Sequence, residues 1–344
     1  MIAPRSTLAL LALLPRQVPT TLSIFAARGR AAMESAALGW GLIVISVIVF
    51  LIFLGFLALP LWRNRGRGDL SMAGAAQAVR DQHDHPDEIR GILLLGLALP
   101  ALVLAAVFVW STIKTSAQAQ PFAVNDPDAS ERADAVVIGH QWWWEVRYPR
   151  DGVLTANELH VPVGRRVRIA LSTEDVNHSF WVPQLAGKTD LVAGQVNTIW
   201  LEADTAGTYY GECAEFCGPQ HAHMGFTVVA ESPADYADWL ATQHAPAVPA
   251  TQPEVQAGRA AFASLGCAGC HAVRGTVFQG RAGPDLTHLA SRATLAAGTL
   301  PNTRGDLAGW VADPQRVKPG NRMPVVAMSG TDLQAVVAYL ESLH

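Results

Sequence analysis

Two apolar runs leave this chain little choice of environment. Gly39 to Trp62 and Gly91 to Ile113 each exceed the roughly 20 residues a helix needs to cross a bilayer. Neither contains a charged residue or a polar face that water could solvate, and the second is interrupted only by Pro100. Both are expected to span a membrane as helices, where backbone polar groups must be bonded internally. Arg63, Arg65 and Arg67 follow the first run, whereas only Lys114 closely follows the second. The positive-inside rule therefore puts the loop 63–90 in the cytoplasm and everything after Lys114 outside, although Arg28 and Arg30 pull the other way. Residues 31–118 are read as a transmembrane hairpin with spans at about 39–62 and 91–113. The preceding segment 1–30 has Arg5 and the apolar stretch Leu8 to Leu14, the parts of a signal peptide, without a clear cleavage site.

Composition agrees with a membrane anchor: half of the 344 residues are hydrophobic and 16% are charged. A net charge of −4 gives no sign of a nucleic-acid partner. The charges are unevenly spread, however. Residues 120–245 carry 7 Lys and Arg against 17 Asp and Glu, and residues 251–344 carry 8 against 6. An acidic domain precedes a mildly basic one.

After the second span come short β-branched or aromatic runs punctuated by Gly, Pro, Asn and Asp. They are 135–148, 159–162, 166–172, 180–182, 198–203, 207–211 and 226–229. That spacing predicts an antiparallel β-sandwich or barrel over 119–243. A Pro/Ala linker is expected at 244–253. Helical patterns at 254–265, 307–313 and 330–343 make 254–344 a small α-helical domain.

The chemistry concentrates in four cysteines. Cys213, Cys217, His221 and Met224 lie within 12 residues and offer thiolates, an imidazole and a thioether, the ligand set that selects copper for electron transfer. A one-copper site needs one Cys, whereas two thiolates can bridge two ions. Each copper would keep one His and one weak ligand, met by His221, Met224, a carbonyl from Glu215 and an upstream His178. A Cys213–Cys217 disulfide and a structural zinc site compete with this reading. His223 is left without a role.

Around that cluster, Gly139 to Trp144, Asp175 to Pro183, Gly187 to Asp190 and Cys213 to Met224 resemble subunit II of cytochrome c oxidases in order and interval. With the helical hairpin, the resemblance covers roughly residues 35–240. It implies a cupredoxin-like domain with a dinuclear CuA centre on His178, Cys213, Glu215 (main chain), Cys217, His221 and Met224. It also implies a Mg²⁺ ion at the Glu215 side chain where subunit I docks, and electron transfer through Trp142. The chain departs from the family at Leu93, where many members have a Glu near a proton channel; only Asp87 and Glu88 lie close. His83 and His85 in that loop are read as solvated.

A second site reads independently. Cys267-x-x-Cys270-His271 has the form of covalent c-type haem attachment, with His271 on the iron. Met323, in a Lys318 to Pro324 loop similar to the axial-ligand loop of class I cytochromes c, is the expected sixth ligand, with Met328 as rival. Gly283 to Leu286 is similar to another stretch of that family, and the resemblance covers 254–344.

A cytochrome c fused to subunit II is what the caa3-type oxidases look like. The expected function is electron transfer from haem c to CuA and on to subunit I, where O₂ is reduced to water with proton translocation. Expected partners are subunits I and III, a c-type cytochrome or upstream complex as donor, and the bilayer. The expected location is a bacterial inner membrane with both metal domains outside. A tethered carrier serving another terminal reductase such as a nitric oxide reductase, and a copper-handling or thiol-redox protein with no respiratory role, are the other readings; the haem motif opposes the second.

Overall fold

The computed structural model describes residues 22–63, 90–118 and 128–344. Over these residues the chain divides into two units, Glu34–Pro121 and the combination of Met1–Met33 with Phe122–His344. The signal-like stretch through Pro15 and the loop residues Arg65, Arg67, His83, His85, Asp87 and Glu88 lie outside the described residues.

The first unit is the hairpin. Helix α1 is Arg30–Arg63 and helix α2 is Leu99–Gln118, the latter preceded by a π-helical stretch, Ile92–Ala98. That widened stretch ends just before Pro100, whose ring crowds an ordinary α-turn and offers no N–H to it. Leu93 is an exposed apolar residue within it. Phe53, Phe56, Leu102 and Phe108 are likewise exposed along the two helices, as suits a lipid-facing surface. At Gly41 the helices touch: a Cβ there would lie 2.4 Å from the Trp110 ring.

In the second unit, ten of the described strands form a sandwich. They are β1 (Ala135–His140), β2 (Trp143–Tyr148), β3 (Val153–Ala156), β4 (Glu158–Pro162), β5 (Val167–Thr173), β6 (His178–Trp181), β7 (Thr189–Leu191), β8 (Asn197–Leu201), β9 (Gly207–Cys213) and β10 (Gly225–Glu231). One sheet has the order β3-β2-β1-β5-β8 and the other β4-β10-β9-β6-β7. The sequence pattern predicts an antiparallel sandwich or barrel; the pairing is mostly antiparallel, but β1 runs parallel to β5 and β10 parallel to β4. Such pairs need long crossovers that turn signals do not reveal. The single run expected over 135–148 is a hairpin, folded at Gln141-Trp142 with His140 opposite Trp143. No glycine marks that turn; instead the Asp175 carboxylate accepts the Gln141 N–H at 2.8 Å.

The two inner faces meet over an aromatic centre. Phe180 and Phe226 stack at 4.6 Å, and Trp144 meets Phe226 edge-on at 5.2 Å. Contacts of this kind add roughly 1 kcal/mol each beyond the area they bury. The chain just before α1 also joins this domain, since the Arg28 N–H donates to the Gln184 carbonyl and its own carbonyl accepts from Asp204.

A short helix α3 (Ala129–Arg132) leads into the sandwich, and helix α4 (Pro233–His244) closes it. The sequence carries the start signal of α4: Ser232 caps the Asp235 N–H, and Pro233 fills the first turn. Trp239 of α4 stacks on His160 at 3.9 Å and meets Tyr148 edge-on. Tyr148 in turn donates to the His160 carbonyl and accepts from its N–H.

Ala245 to Gln252 connects α4 to helix α5 (Pro253–Ser264). It is packed, not free: Ala247 and Ala250 lie against the helical domain's core. That domain has α5, α6 (Arg304–Ala312), α7 (Pro314–Val317) and α8 (Gly330–Glu341). Helices α5 and α8 cross at Gly258, where a Cβ would stand 1.9 Å from the Ala335 carbonyl oxygen. Phe262, Tyr339 and Leu340 fill the core beside that crossing.

Between sandwich and helical domain lies a polar cavity of about 260 Å³, lined by Glu158, His160, Glu231, His288 and Arg292 among others. Burial opposes charging of His160, but hydrogen bonds to Glu158 and Glu231 outweigh it and raise its pKa. Its Nδ1 lies 3.0 Å from Glu231 and its Nε2 3.9 Å from Glu158, while Arg292 and His288 face the same cavity from the helical domain. A raised folded-state pKa stabilises fully below the ordinary value of 6.5 and loses that contribution as pH rises through the folded value. Thermal unfolding of the unmodified chain should therefore show a falling stability component as pH climbs from about 6.5. His160→Gln should remove that component; an unchanged pH slope in the variant would refute the assignment.

Candidate functional site

The cysteine cluster sits at one end of the sandwich. Cys213 ends β9, Cys217 and His221 lie in the following loop, and Met224 immediately precedes β10. His178 opens β6, and the pairing of Phe180 with Cys213 sets that strand beside β9. The loop thus folds its three sulfurs toward an imidazole from the neighbouring strand.

The distances describe two linked halves. The Cys213 and Cys217 sulfurs stand 3.8 Å apart as free thiols. His178 Nδ1 is 3.8 Å from the Cys213 sulfur, and His221 Nδ1 is 3.6 Å from that of Cys217. Met224 Sδ lies 3.8 Å from Cys217, and the Glu215 carbonyl oxygen 3.2 Å from Cys213. His178 is 0% exposed and Met224 1%. Each thiol therefore has its own imidazole and its own weak donor.

Glycines make the room. A Cβ at Gly139 would lie 2.6 Å from the His178 ring, and Gly218, at φ +114°, turns the loop beneath Trp142. The three consecutive tryptophans divide their work. Trp142 donates its indole N–H to the Cys217 carbonyl at 2.9 Å, and Trp144 donates to the Met224 carbonyl at 3.2 Å. Trp143 instead stacks on His140 at 4.3 Å.

Electrostatics poise the pocket for a cation. The hydrogen bond from the Cys217 thiol, joined by His178 and opposed by burial, pulls the Cys213 thiol down to about 3. The same bond, with burial, pushes the Cys217 thiol well up. The pair thus favours one charged sulfur beside its partner, and a metal would displace the remaining proton. Burial works against charging His178, but bonds to Asp175 and Cys213 outweigh it and raise its pKa. Asp175 lies 3.0 Å from His178 Nε2. Burial would raise that carboxyl, yet hydrogen bonds from His178 and from the Gln141 and Val176 N–H groups hold it at about 2. A carboxylate on the far nitrogen of a ligating histidine fixes which nitrogen faces the metal.

All six donors proposed from sequence converge here, and they suit copper. No disulfide joins the thiols, and a thioether is not a donor that zinc calls on. His223 does not join them: its Nδ1 lies 2.7 Å from Gln220 Oε1. The Glu215 side chain points away as well, half-exposed and 3.6 Å from Lys188.

In the helical domain, Cys267 begins a tight turn, Cys267–Gly269, and Cys270 is exposed. His271 Nδ1 donates to the Pro284 carbonyl at 2.8 Å, and burial lowers its pKa. A neutral imidazole anchored through Nδ1 keeps its Nε2 lone pair for iron. Gly283 allows this approach, since a Cβ there would stand 2.6 Å from the ring. Met323 sits in a pinned loop, its N–H donating to Asn321 Oδ1 and its carbonyl accepting from Gln315. Met328 packs against the apolar core.

Asp175 was visible in the sequence only as part of a matching loop; its three-residue spacing from His178 was the signal that could have given it a role. Gln220, Lys318 and Arg322 carried no such signal.

Comparison with known proteins matches residues 152–232 to the periplasmic domain of cytochrome c oxidase subunit II and residues 255–344 to cytochrome c. Cytochrome c oxidase subunit 2 of Alkalihalophilus pseudofirmus is 36% identical over 304 residues, covering 87% of this chain and 83% of that relative. Its counterpart from Bacillus sp. (strain PS3) is 33% identical over 280 residues, covering 76% and 78%. Among solved structures, the periplasmic domain of subunit II of cytochrome oxidase from Bradyrhizobium japonicum is similar over 33% of this chain and 94% of its own, at 29% identity and a TM-score of 0.31. An identity of 36% sustained along most of both sequences, with a match in each globular domain, shows that this chain belongs to the cytochrome c oxidase subunit 2 family and carries a cytochrome c domain.

Proposed function

We propose that the chain is the electron-receiving subunit of a caa3-type haem–copper oxidase, anchored by its hairpin in a bacterial inner membrane with both metal domains outside. The observation that carries this reading is the paired arrangement of two free thiols, each with one histidine Nδ1 within 3.8 Å. His178, Cys213, the Glu215 carbonyl, Cys217, His221 and Met224 would hold a dinuclear copper centre. Cys267 and Cys270 would bond the vinyl groups of a haem c, with His271 and Met323 on its iron. These groups, when bound, supply one-electron transfer; O₂ would be reduced in subunit I, beside a subunit III.

The chain's own residues hold and orient the sites. Asp175 fixes the His178 ring, while Trp142 and Trp144 clamp the loop backbone through the Cys217 and Met224 carbonyls. Trp142 ties the hairpin turn to Cys217 and is 7% exposed, which suits it as the through-bond link by which electrons reach the copper loop. The half-exposed Glu215 carboxylate is the donor offered to Mg²⁺ at the subunit I contact. The working divisions are the sandwich at 119–243, the linker at 244–253 and the cytochrome domain at 254–344, which would be reduced by a c-type cytochrome or an upstream complex.

Electron paramagnetic resonance of the copper-loaded chain should show an unpaired electron shared by two coppers, and Cys217→Ser should abolish that sharing; a one-copper spectrum in the unmodified chain would refute the reading. Asp175→Asn should weaken copper retention against a chelator by about ten- to a hundredfold. Trp142→Gln should slow reduction of the copper by the haem while both metals stay bound, which rapid-mixing spectroscopy can follow; an unchanged rate would remove Trp142 from the path.

A further inference from the structure

The residues left unassigned above, His223 and Gln220 on the copper loop and Lys318 in the axial-methionine loop, meet at one place. Lys318 is 3% exposed, and its Nζ donates to three backbone carbonyls: His223 at 2.8 Å, Trp142 at 2.9 Å and Ala296 at 3.1 Å. Two of these belong to the sandwich and flank the copper loop; the third belongs to the helical domain. Burial pulls its pKa down to about 7; buried lysines are costly unless their protons are bonded, and the charged form of this one uses each of its three.

Its surroundings repeat the pattern. Gln220 donates to the Pro319 carbonyl at 2.6 Å, while its other amide atom holds His223. The Gly225 N–H donates to the Ala297 carbonyl at 3.0 Å. Ala296 and Ala297 reach these positions with φ of +52° and +58°, a left-handed conformation that costs non-glycine residues energy and persists only where the surroundings hold it. At the rim, Arg322 lies 3.3 Å from Asp175 and 3.1 Å from Gln141.

We propose that Lys318 is a positioning residue for electron transfer: its buried ammonium locks the methionine loop of the cytochrome domain onto the Trp142 and His223 carbonyls, so that the two metal sites react from one fixed geometry. This rests on the haem-to-copper reading above. The lock is a set of short hydrogen bonds shielded from water, not attraction between an acidic and a basic surface. Salt screens exposed charges over about 8–10 Å but barely touches a desolvated, bonded ammonium.

The test uses the full chain in detergent or in its complex. In the unmodified chain, haem-to-copper transfer should be independent of ionic strength up to about 0.5 M, and the amides of Gly225 and residues 294–298 should exchange slowly with deuterium. Lys318→Met keeps the stem and removes the ammonium. It should slow the internal transfer about tenfold or more, make it fall with added salt because the contact then rests on the pairing of exposed Arg322 with Asp175, and speed exchange of those amides. The optical and paramagnetic spectra of both metals should be unchanged. Arg322→Gln should change the rate less than about twofold. If the unmodified chain transfers electrons but Lys318→Met neither slows transfer nor speeds exchange, the lock is refuted; salt-dependent transfer in the unmodified chain refutes it without any variant. Absence of haem-to-copper transfer in the unmodified chain would instead refute the functional reading on which the lock rests.

Discussion

Two cysteine sulfurs 3.8 Å apart, buried together with His178 and Met224, are the constraint around which the sandwich is arranged. A buried metal-ligand set needs each donor held in place by its surroundings, and the neighbouring elements supply that support. Strand β6 brings His178, the loop after β5 brings Asp175 to orient it, and the turn between β1 and β2 brings Trp142 over the loop. The two parallel strand pairs matter for this reason. They let β6 lie beside β9 while β1 approaches closely enough that Gly139 touches the His178 ring. A plain up-and-down sandwich would have separated these residues.

The same logic governs the helical domain on a smaller scale. His271 is kept neutral by burial and aimed by one carbonyl, that of Pro284, in a stretch that adds Gly283 to let the ring approach. Both sites thus use a backbone or carboxylate partner on one imidazole nitrogen to determine what the other can do. They differ in what surrounds them. Cys213, Cys217 and Met224 are buried, whereas Cys270 stands exposed at the surface.

Much of this was legible in the sequence because the chemistry is local. The spacing of Cys213, Cys217, His221 and Met224 is a loop's spacing, and Cys267-x-x-Cys270-His271 is a single turn. The spans were legible through apolar length alone. What the sequence concealed depends on pairing between distant segments. Neither parallel pair has a local mark, the Gln141-Trp142 turn has no turn residue of its own, and helix α4 hid behind a weak apolar pattern despite its Ser232-Pro233 cap. Asp175 illustrates the boundary: its spacing to His178 is local, but its bond to Gln141 is not.

Lys318 shows why net charge misleads about an interface of this kind. Counting residues gives an acidic sandwich and a mildly basic cytochrome domain, which suggests attraction across water. The cation at the centre of the contact meets no carboxylate; it meets three carbonyls, which any sequence supplies. Its specificity comes from where the backbone is held, by the Gln220–His223 pair on one side and by the left-handed Ala296-Ala297 turn on the other. A surface built from main-chain acceptors leaves no trace in composition, and it makes the placement of the cytochrome domain a property of the sandwich's loop geometry more than of its charge. That coupling links the shape of the cysteine loop to the placement of the cytochrome domain, since the segment carrying His221 and Met224 also presents the His223 carbonyl to Lys318.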